Sequence, residues 1–548
     1  MTKMKSPDYR TIYLTLLRAF FTHMELIARF IFSLTVYFGW IASPVYTILA
    51  LRPKKHLPPP KQPEILDLSA VALAKKIRNK ELTSEQVTKA FIERCREVNG
   101  DLNAIVEERF AAAIEEAKNV DRLIQSDTLS GREIETEKPL LGVPITVKEA
   151  CKVEGLSHSV GAKLRKGVKA EENGDAVANL RKAGAIPLAV TNTPELCCSV
   201  ETYNSVTGYT CNPYDLRRSC GGSSGGEAVL IASSSSPLGI GSDFAGSIRM
   251  PCLFTGIFGH KPTAGVVSNK GHFPDHADKE FQKLLNIGPM SRYAQDLKPA
   301  LKIIAGSNAD ALNLDQTVNL NDLQIYYMLD KGFMYSEISV DSTIKNAIQN
   351  SAKYFQATHG CFVQQIDLPE MQETCEICVL QTAEVEGLKQ VFCLKDNPKD
   401  ECSVIMEFLK LLVNKSDYSI QLLLNRFIVE SCLFIPTYKK YKYATVKNNL
   451  MKRLKETLGD NGVLLFPTFA TPAHYKYQLV WKLSSLGYPM IVNVLGFPAT
   501  QVPLGLNKSG LPVGFQVIAA PHQDRLCLAV AEELEKAFGG WIPPTYSS

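Results

Sequence analysis

Residues Cys220 to Thr263 read CGGSSGGEAVLIASSSSPLGIGSDFAGSIRMPCLFTGIFGHKPT, and this run decides the fold class and the chemistry. Two serines, Ser223 and Ser247, stand in glycine-rich settings with no histidine between them. Glycine carries no side-chain bulk and tolerates positive φ, so backbone amides in such a run approach a ligand closely. A hydroxyl among those amides points to an acyl-transfer nucleophile beside an oxyanion hole. The competing reading is a flexible Gly/Ser linker. The flanks exclude it. Val229, Leu230, Ile231, Leu238, Ile240, Ile248, Met250, Leu253 and Phe254 are interleaved throughout, which predicts a buried and ordered segment.

A serine hydroxyl is a weak nucleophile and needs a base within hydrogen-bond reach. Of nine histidines, His260 in GIFGHKP is the candidate by position, but a packed, hydrogen-bonded histidine is the more ordinary reading. Lysine acts as a base only when neutral, a state that burial away from water favours. Lys148 closes an apolar run, Leu140, Leu141, Val143, Ile145 and Val147, which reads as a strand entering a site. On spacing alone, a surface lysine after a strand is the commoner outcome.

Three elements in order, GVPITVKE (142–149), GGSSGG (221–226) and SDFAGSIRMP followed by GIFGHKPT, resemble the amidase signature family, over roughly Leu66 to Trp541. The resemblance implies a three-layer α/β/α sandwich around a large mixed, mostly parallel sheet. It implies Ser247 as the acyl-ester nucleophile, Ser223 as a bridging serine on a cis peptide bond, and Lys148 as the base. The backbone amides of Phe244, Ala245, Gly246 and Ser247 are then the oxyanion donors. Ser224, Asp243 and Arg249 support the loop, and Cys197 in TNTPELCCSVE lies in the acyl-binding wall. The implied reaction passes a proton from Ser247 through Ser223 to Lys148 and back to the leaving amine, after which water hydrolyses acyl-Ser247. The implied substrates are fatty-acid amides, primary amides or N-acylethanolamines, split to free fatty acid and amine or ammonia. No cofactor and no metal is called for. Many members carry two glycines before the nucleophile, whereas this chain has Ala245-Gly246. If the first of these positions needs positive φ, alanine costs about 1 kcal/mol. If it needs only smallness the change is silent, which is the expectation here.

Composition narrows the alternatives. A net charge of +4 on 548 residues gives no basis for a nucleic-acid partner, and 45% hydrophobic with 21% charged residues is ordinary for a globular enzyme. No phosphate-cradling or dinucleotide-binding glycine motif is present. The 14 cysteines are scattered. Cys375 and Cys378 form a lone CxxC whose expected role is helix packing, and unpatterned cysteines favour reduced thiols facing the cytosol.

The second strong signal is a stretch of 22 uncharged residues, FIFSLTVYFGWIASPVYTILAL (30–51), long enough to cross a hydrocarbon core. A hairpin bent at Pro44 and lying in one leaflet is the alternative anchor. Basic residues on both flanks leave orientation open. The expected organisation is a basic, amphipathic segment at 1–29, the anchor at 30–51, a Pro-rich linker at 52–65, an amidase domain at 66–541 and a tail at 542–548. Within the domain, residues 402–443 concentrate apolar residues before Lys439, Lys440 and Lys442, and read either as a buried helix pair or as a membrane cap that admits acyl chains. Strand-like runs at Leu140–Val147, Ile186–Val190, Gly462–Phe466 and Val513–Ile518 alternate with helical stretches.

The expected whole is a membrane-associated serine hydrolase of fatty-acid amides, on endoplasmic reticulum or lipid droplet rather than secreted. Its expected partners are a lipid amide and membrane lipids, with a homodimer left open. The alternatives are an amidase for other small or xenobiotic amides or esters, a soluble transamidation subunit, and an inactive membrane scaffold keeping the fold.

Overall fold

In the computed structural model the described residues are 55–332, 338–385, 403–430 and 437–546, with isolated positions between 22 and 48. Their centre is an eleven-stranded sheet. Its strands in chain order are β1 (Ile105–Glu108), β2 (Pro144–Lys148), β3 (Ile186–Thr191), β4 (Leu238–Asp243), β5 (Phe258–Lys261), β6 (Asn286–Ser291), β7 (Gln324–Tyr327), β8 (Phe362–Gln365), β9 (Gly462–Phe466), β10 (Ala499–Leu506) and β11 (Pro512–Ala519). Across the sheet they run β1-β3-β2-β4-β6-β5-β10-β11-β9-β7-β8. Helices pack on both faces.

The expectation of a mostly parallel sheet is corrected. Parallel pairing is confined to β2–β3, β2–β4, β7–β8 and β7–β9, and the other neighbours are antiparallel. The reason is physical. A strand buried on both faces reads as a continuous apolar run whichever way its neighbour points, so strand direction is not written in hydrophobicity. Leu140 and Leu141, read as the start of a strand, form the turn before β2.

Helix placement follows the apolar spacing closely. Ala70–Arg78, Ser84–Leu102, Phe110–Gln125 and Asp524–Phe538 are helices, and Thr83 and Gln86 close a reciprocal capping box on the second. Gly225–Ala232 begins just after the paired serines and is buried on all sides; its one charged residue, Glu227, is met by the Thr146 and Thr191 hydroxyls. It packs against β2, β4 and β6. Gly239 on β4 admits it: a Cβ there would meet the Glu227 Oε1 atom at 1.7 Å.

No helix among the described residues is long and apolar enough to cross a membrane. The anchor expected at 30–51 lies largely outside the described residues. Of the positions that are described, Leu26, Ile27, Phe30, Leu34, Ile41, Val45 and Ile48 are helical and exposed. The Thr22 and Tyr438 hydroxyls are hydrogen-bonded at 2.6 Å, and Trp481 Nε1 donates to the Tyr46 hydroxyl at 3.4 Å. The 402–443 segment contains two helices, Val404–Leu412 and Ile420–Glu430; Leu433, Phe434 and Ile435 lie outside the described residues. Leu422 and Leu423 are buried with Ala162, Leu196 and Tyr418, and Phe408 and Leu411 pack on that cluster. Ile405, Met406, Leu409 and Leu412 face outward, Leu412 with 83% of its surface exposed.

Candidate active site

Two parallel neighbours place the site. β2 and β4 run side by side, Thr146 opposite Gly239 and Val147 opposite Ile240, so their C-terminal ends emerge together. Lys148 ends β2, and Ser242 and Asp243 end β4. Ligand sites of α/β sheets gather outside such carboxyl ends, where a crevice opens at the point at which the strand order reverses. Lys148 is fully buried, as are the apolar residues before it, which overturns the surface-lysine reading.

The Lys148 Nζ atom lies 2.7 Å from Ser223 Oγ, 2.9 Å from Ser242 Oγ and 3.3 Å from the Ser242 carbonyl oxygen. All three are neutral oxygens. Ser223 is 1% exposed and follows a cis Gly222–Ser223 peptide bond. The next residue joins the two serine loops, since the Ser224 amide donates to the Ser247 carbonyl at 3.1 Å. The Ser224 hydroxyl donates to the Ser242 carbonyl at 3.2 Å and accepts from the Ser242 amide at 3.3 Å. Lys148, Ser223, Ser224 and Ser247 are thus brought to one place.

The turn carrying Ser247 is held by a buried charge. The Asp243 carboxylate accepts from the amides of Gly246 (2.6 Å) and Ile248 (3.1 Å), and from Arg249 Nε (3.1 Å) and Nη2 (3.1 Å). Arg249 also donates to Gln516 Oε1 at 2.6 Å, and Asn493 Nδ2 donates to Asp243 Oδ1 at 2.9 Å. Burial pushes the Asp243 carboxyl up, but the Arg249 charge and hydrogen bonds, with Lys261 and Asn493, outweigh it and hold the group well below the usual carboxylate range. Asp243 and Arg249 therefore form a satisfied buried pair whose hydrogen bonds set the Ser247 turn.

The left-handed conformation in this turn falls on Gly246 (φ +107°), while Ala245 stands outside it. The Gly246 amide, expected among the oxyanion donors, is committed to Asp243 here. Among the described residues the amides of Phe244, Ala245 and Ser247 have no protein acceptor. Phe244 and Ala245 are half-buried, and the Phe244 ring packs 5.5 Å from that of Phe281. Cys197 is half-buried with its thiol 3.4 Å from the Thr193 hydroxyl, and Asn425 of the second outer helix bonds the neighbouring Cys198 carbonyl. The two helices of the 402–443 segment thus pack over the chain around Leu196 and Cys198.

His260 is elsewhere and fully satisfied, between Thr500 (2.8 Å) and Asp524 (3.1 Å). Two residues of the site escaped sequence reading. Ser242 lay in plain view, five positions before Ser247 and directly after Gly241, but nothing in its neighbourhood set it apart from the serines around it. His272 reaches it from a loop, its Nε2 2.8 Å from Ser242 Oγ. Only the paired backbone of Cys151 and His272, set by the fold, brings that histidine near Lys148.

A buried lysine, two loop-joined serines and the unbonded amides of Phe244, Ala245 and Ser247 make a constellation suited to acyl transfer. The amidase family model matches residues 86–528, and the chain belongs to that family. It is 41% identical over 495 residues to fatty-acid amide hydrolase 2-B of Danio rerio, covering 89% of this chain and 93% of the relative. It is 39% identical over 492 residues to fatty-acid amide hydrolase 2 of Homo sapiens, covering 89% and 92%. The solved structure of a fatty acid amide hydrolase superposes with a TM-score of 0.70 at 21% identity, over 88% of this chain and 87% of that one. The chain is an amidase.

Proposed function

We propose that this amidase hydrolyses long-chain fatty-acid amides at a membrane surface, with Ser247 as nucleophile, Ser223 as bridge and Lys148 as base. The 2.7 Å approach of Lys148 Nζ to Ser223 Oγ carries the reading. Ser247 Oγ attacks the amide carbonyl carbon. Its proton moves to Ser223 Oγ as the Ser223 proton moves to neutral Lys148, which becomes an ammonium. The oxyanion is met by the free amides of the Ser247 turn. The proton then returns along the same path to the amine nitrogen as the C–N bond breaks, a general-acid step that amides need more than esters do. Water attacks the acyl-Ser247 ester and the relay runs once more.

The substrate class rests on two further supports. Relatives near 40% identity bear the name fatty-acid amide hydrolase 2. The outer helix Val404–Leu412 exposes Ile405, Met406, Leu409 and Leu412 on the side away from the cluster that covers Leu196 and Cys198. An outward apolar face above the acyl wall suits a protein that draws substrate from lipid. The uncharged run at 30–51 serves as a second membrane contact. The test is a panel of amides varied in acyl length and amine, run beside a fluorophosphonate probe. Long-chain primary amides or N-acylethanolamines should be the best substrates, and Ser247→Ala should abolish labelling. Persistent labelling removes Ser247 from its role; preference for short or aryl amides overturns the substrate class.

A further inference from the structure

Ser242 lies against Lys148 and His272 against Ser242, and both are buried. The polarity of their hydrogen bonds can be assigned. His272 Nδ1 lies 2.8 Å from the Pro274 carbonyl oxygen, which only accepts, so Nδ1 carries a proton. Burial, the largest cause, pushes the His272 ring well below its ordinary value, so the ring is neutral and Nε2 is bare. Nε2 therefore accepts, and the Ser242 hydroxyl, 2.8 Å away, donates its single proton to it. The Ser242 oxygen is left with lone pairs only. It meets Lys148 Nζ at 2.9 Å as an acceptor.

The consequence falls on Lys148. A neutral lysine amine has two N–H donors and one lone pair. Ser242 Oγ and the Ser242 carbonyl take the two donors, and the remaining direction is Ser223 Oγ at 2.7 Å. Without an acceptor at His272, the Ser242 hydroxyl is free to turn its proton toward Nζ and occupy the lone pair that must take the Ser223 proton. We propose that His272 is a positioning residue for amide hydrolysis: by accepting the Ser242 proton it orients the neutral Lys148 amine so that its lone pair faces Ser223. The inference rests on the Ser-Ser-Lys reading above. The loop is built for it. The His272 amide donates to Asn269, the Phe273 amide to Ala150, and the Lys152 amide to Gly271, tying the histidine to the residues just after Lys148.

The test uses the full-length protein and compares His272→Leu, His272→Gln and Ser242→Ala with Lys148→Ala. Glutamine offers an acceptor oxygen the same number of bonds from Cβ as Nε2; leucine offers none. His272→Leu and Ser242→Ala should each lower kcat for a long-chain amide by about 10- to 100-fold, the range for a misdirected catalytic group, with KM within about twofold. Hydrolysis of the matching ester should fall less, and His272→Gln should recover most of kcat. In a Lys148→Ala background, His272→Leu should add no further loss. Wild-type kcat in His272→Leu or in Ser242→Ala overturns the proposal. A loss seen mainly in KM, or one that glutamine fails to restore at unchanged melting temperature, also overturns it, because packing alone then explains the residue. Lys148→Ala separates the two levels. Full amide turnover there sinks the Ser-Ser-Lys reading itself, while an inactive Lys148→Ala beside a fully active His272→Leu sinks only the positioning role.

Discussion

Gly246→Ala tests whether the turn that presents Ser247 is set by backbone geometry. Gly246 holds φ at +107°, a region L-residues enter at a cost of about 1–2 kcal/mol. A Cβ there would sit 2.4 Å from Pro489 Cβ and 2.6 Å from Pro489 Cγ. Pro489 belongs to the buried helix Gly487–Leu495, and its ring cannot rotate away. Overpacking of this kind costs about 1–3 kcal/mol. The sum is about 2–5 kcal/mol of stability, and it is relieved only by moving the turn. Because the Gly246 amide is bonded to Asp243 and the next amide belongs to Ser247, movement displaces nucleophile and oxyanion donors together. Loss of one such donor lowers kcat by about 100- to 1,000-fold. Ala245→Gly is the control one residue away. It lies outside the left-handed region, so its effect should stay below about 1 kcal/mol and threefold in rate. Thermal melts, fluorophosphonate labelling rates and amide kcat at a temperature where both variants are folded measure the two effects. A Gly246→Ala protein that melts lower but labels at the wild-type rate would refute the coupling of strain to the nucleophile. Equal damage from the two variants would refute the geometry.

Lys148→Ala should lower amide hydrolysis at least tenfold more than hydrolysis of the matching ester, since the leaving amine needs the returned proton; equal losses would remove the relay. Ile405→Asp with Leu412→Asp, at outward positions, should reduce sedimentation with phospholipid vesicles while leaving the melting temperature nearly unchanged, and undiminished binding would remove this helix from the membrane contact. Burial pushes the Glu227 carboxyl up to about 8 from 4.5, against the pull of the Thr146 and Thr191 hydroxyls and the Lys148 charge. The native state then binds a proton that the unfolded chain releases, so this contribution is full below pH 4.5 and lost as pH rises through about 8. Glu227→Gln should flatten the stability loss between those limits by up to about 1.4 kcal/mol per pH unit, and parallel urea-midpoint curves for the two proteins would count against the assignment.

The site was legible where chemistry is local in the chain. Ser223, Ser224 and Ser247 each carry a glycine neighbourhood, and Lys148 ends an apolar run, so composition within eight or ten residues marks them. Their assembly was not readable from spacing, because it depends on β2 and β4 being parallel neighbours, and apolar runs carry no direction. The same blindness produced the error about the sheet. Asp243 and Arg249 were expected to support the loop; that they pair and that Asp243 holds three amides of the Ser247 turn is a property of the folded loop. His272 is the extreme case. Nothing within ten residues of it suggests a role, and it gains one only when Cys151 and His272 pair across two loops.

The two buried polar networks of the site differ in one respect that bears on catalysis. Around the nucleophile turn, a charged carboxylate meets a charged guanidinium, with Asn493 and Gln516 completing the hydrogen bonds. Such a pair is costly to bury and resists protonation change, which suits a part that must hold still. Around Lys148 the contacts are hydroxyls and a carbonyl, with a neutral histidine behind them. A carboxylate in that position would fix the ammonium, because an adjacent opposite charge favours the charged form. Glu227, whose carboxyl feels Lys148, is itself pushed up to about 8 by burial and so is protonated near neutral pH. On the proposed mechanism, fixed charge in one network and hydroxyl protons in the other let the relay run without loosening the turn that holds Ser247.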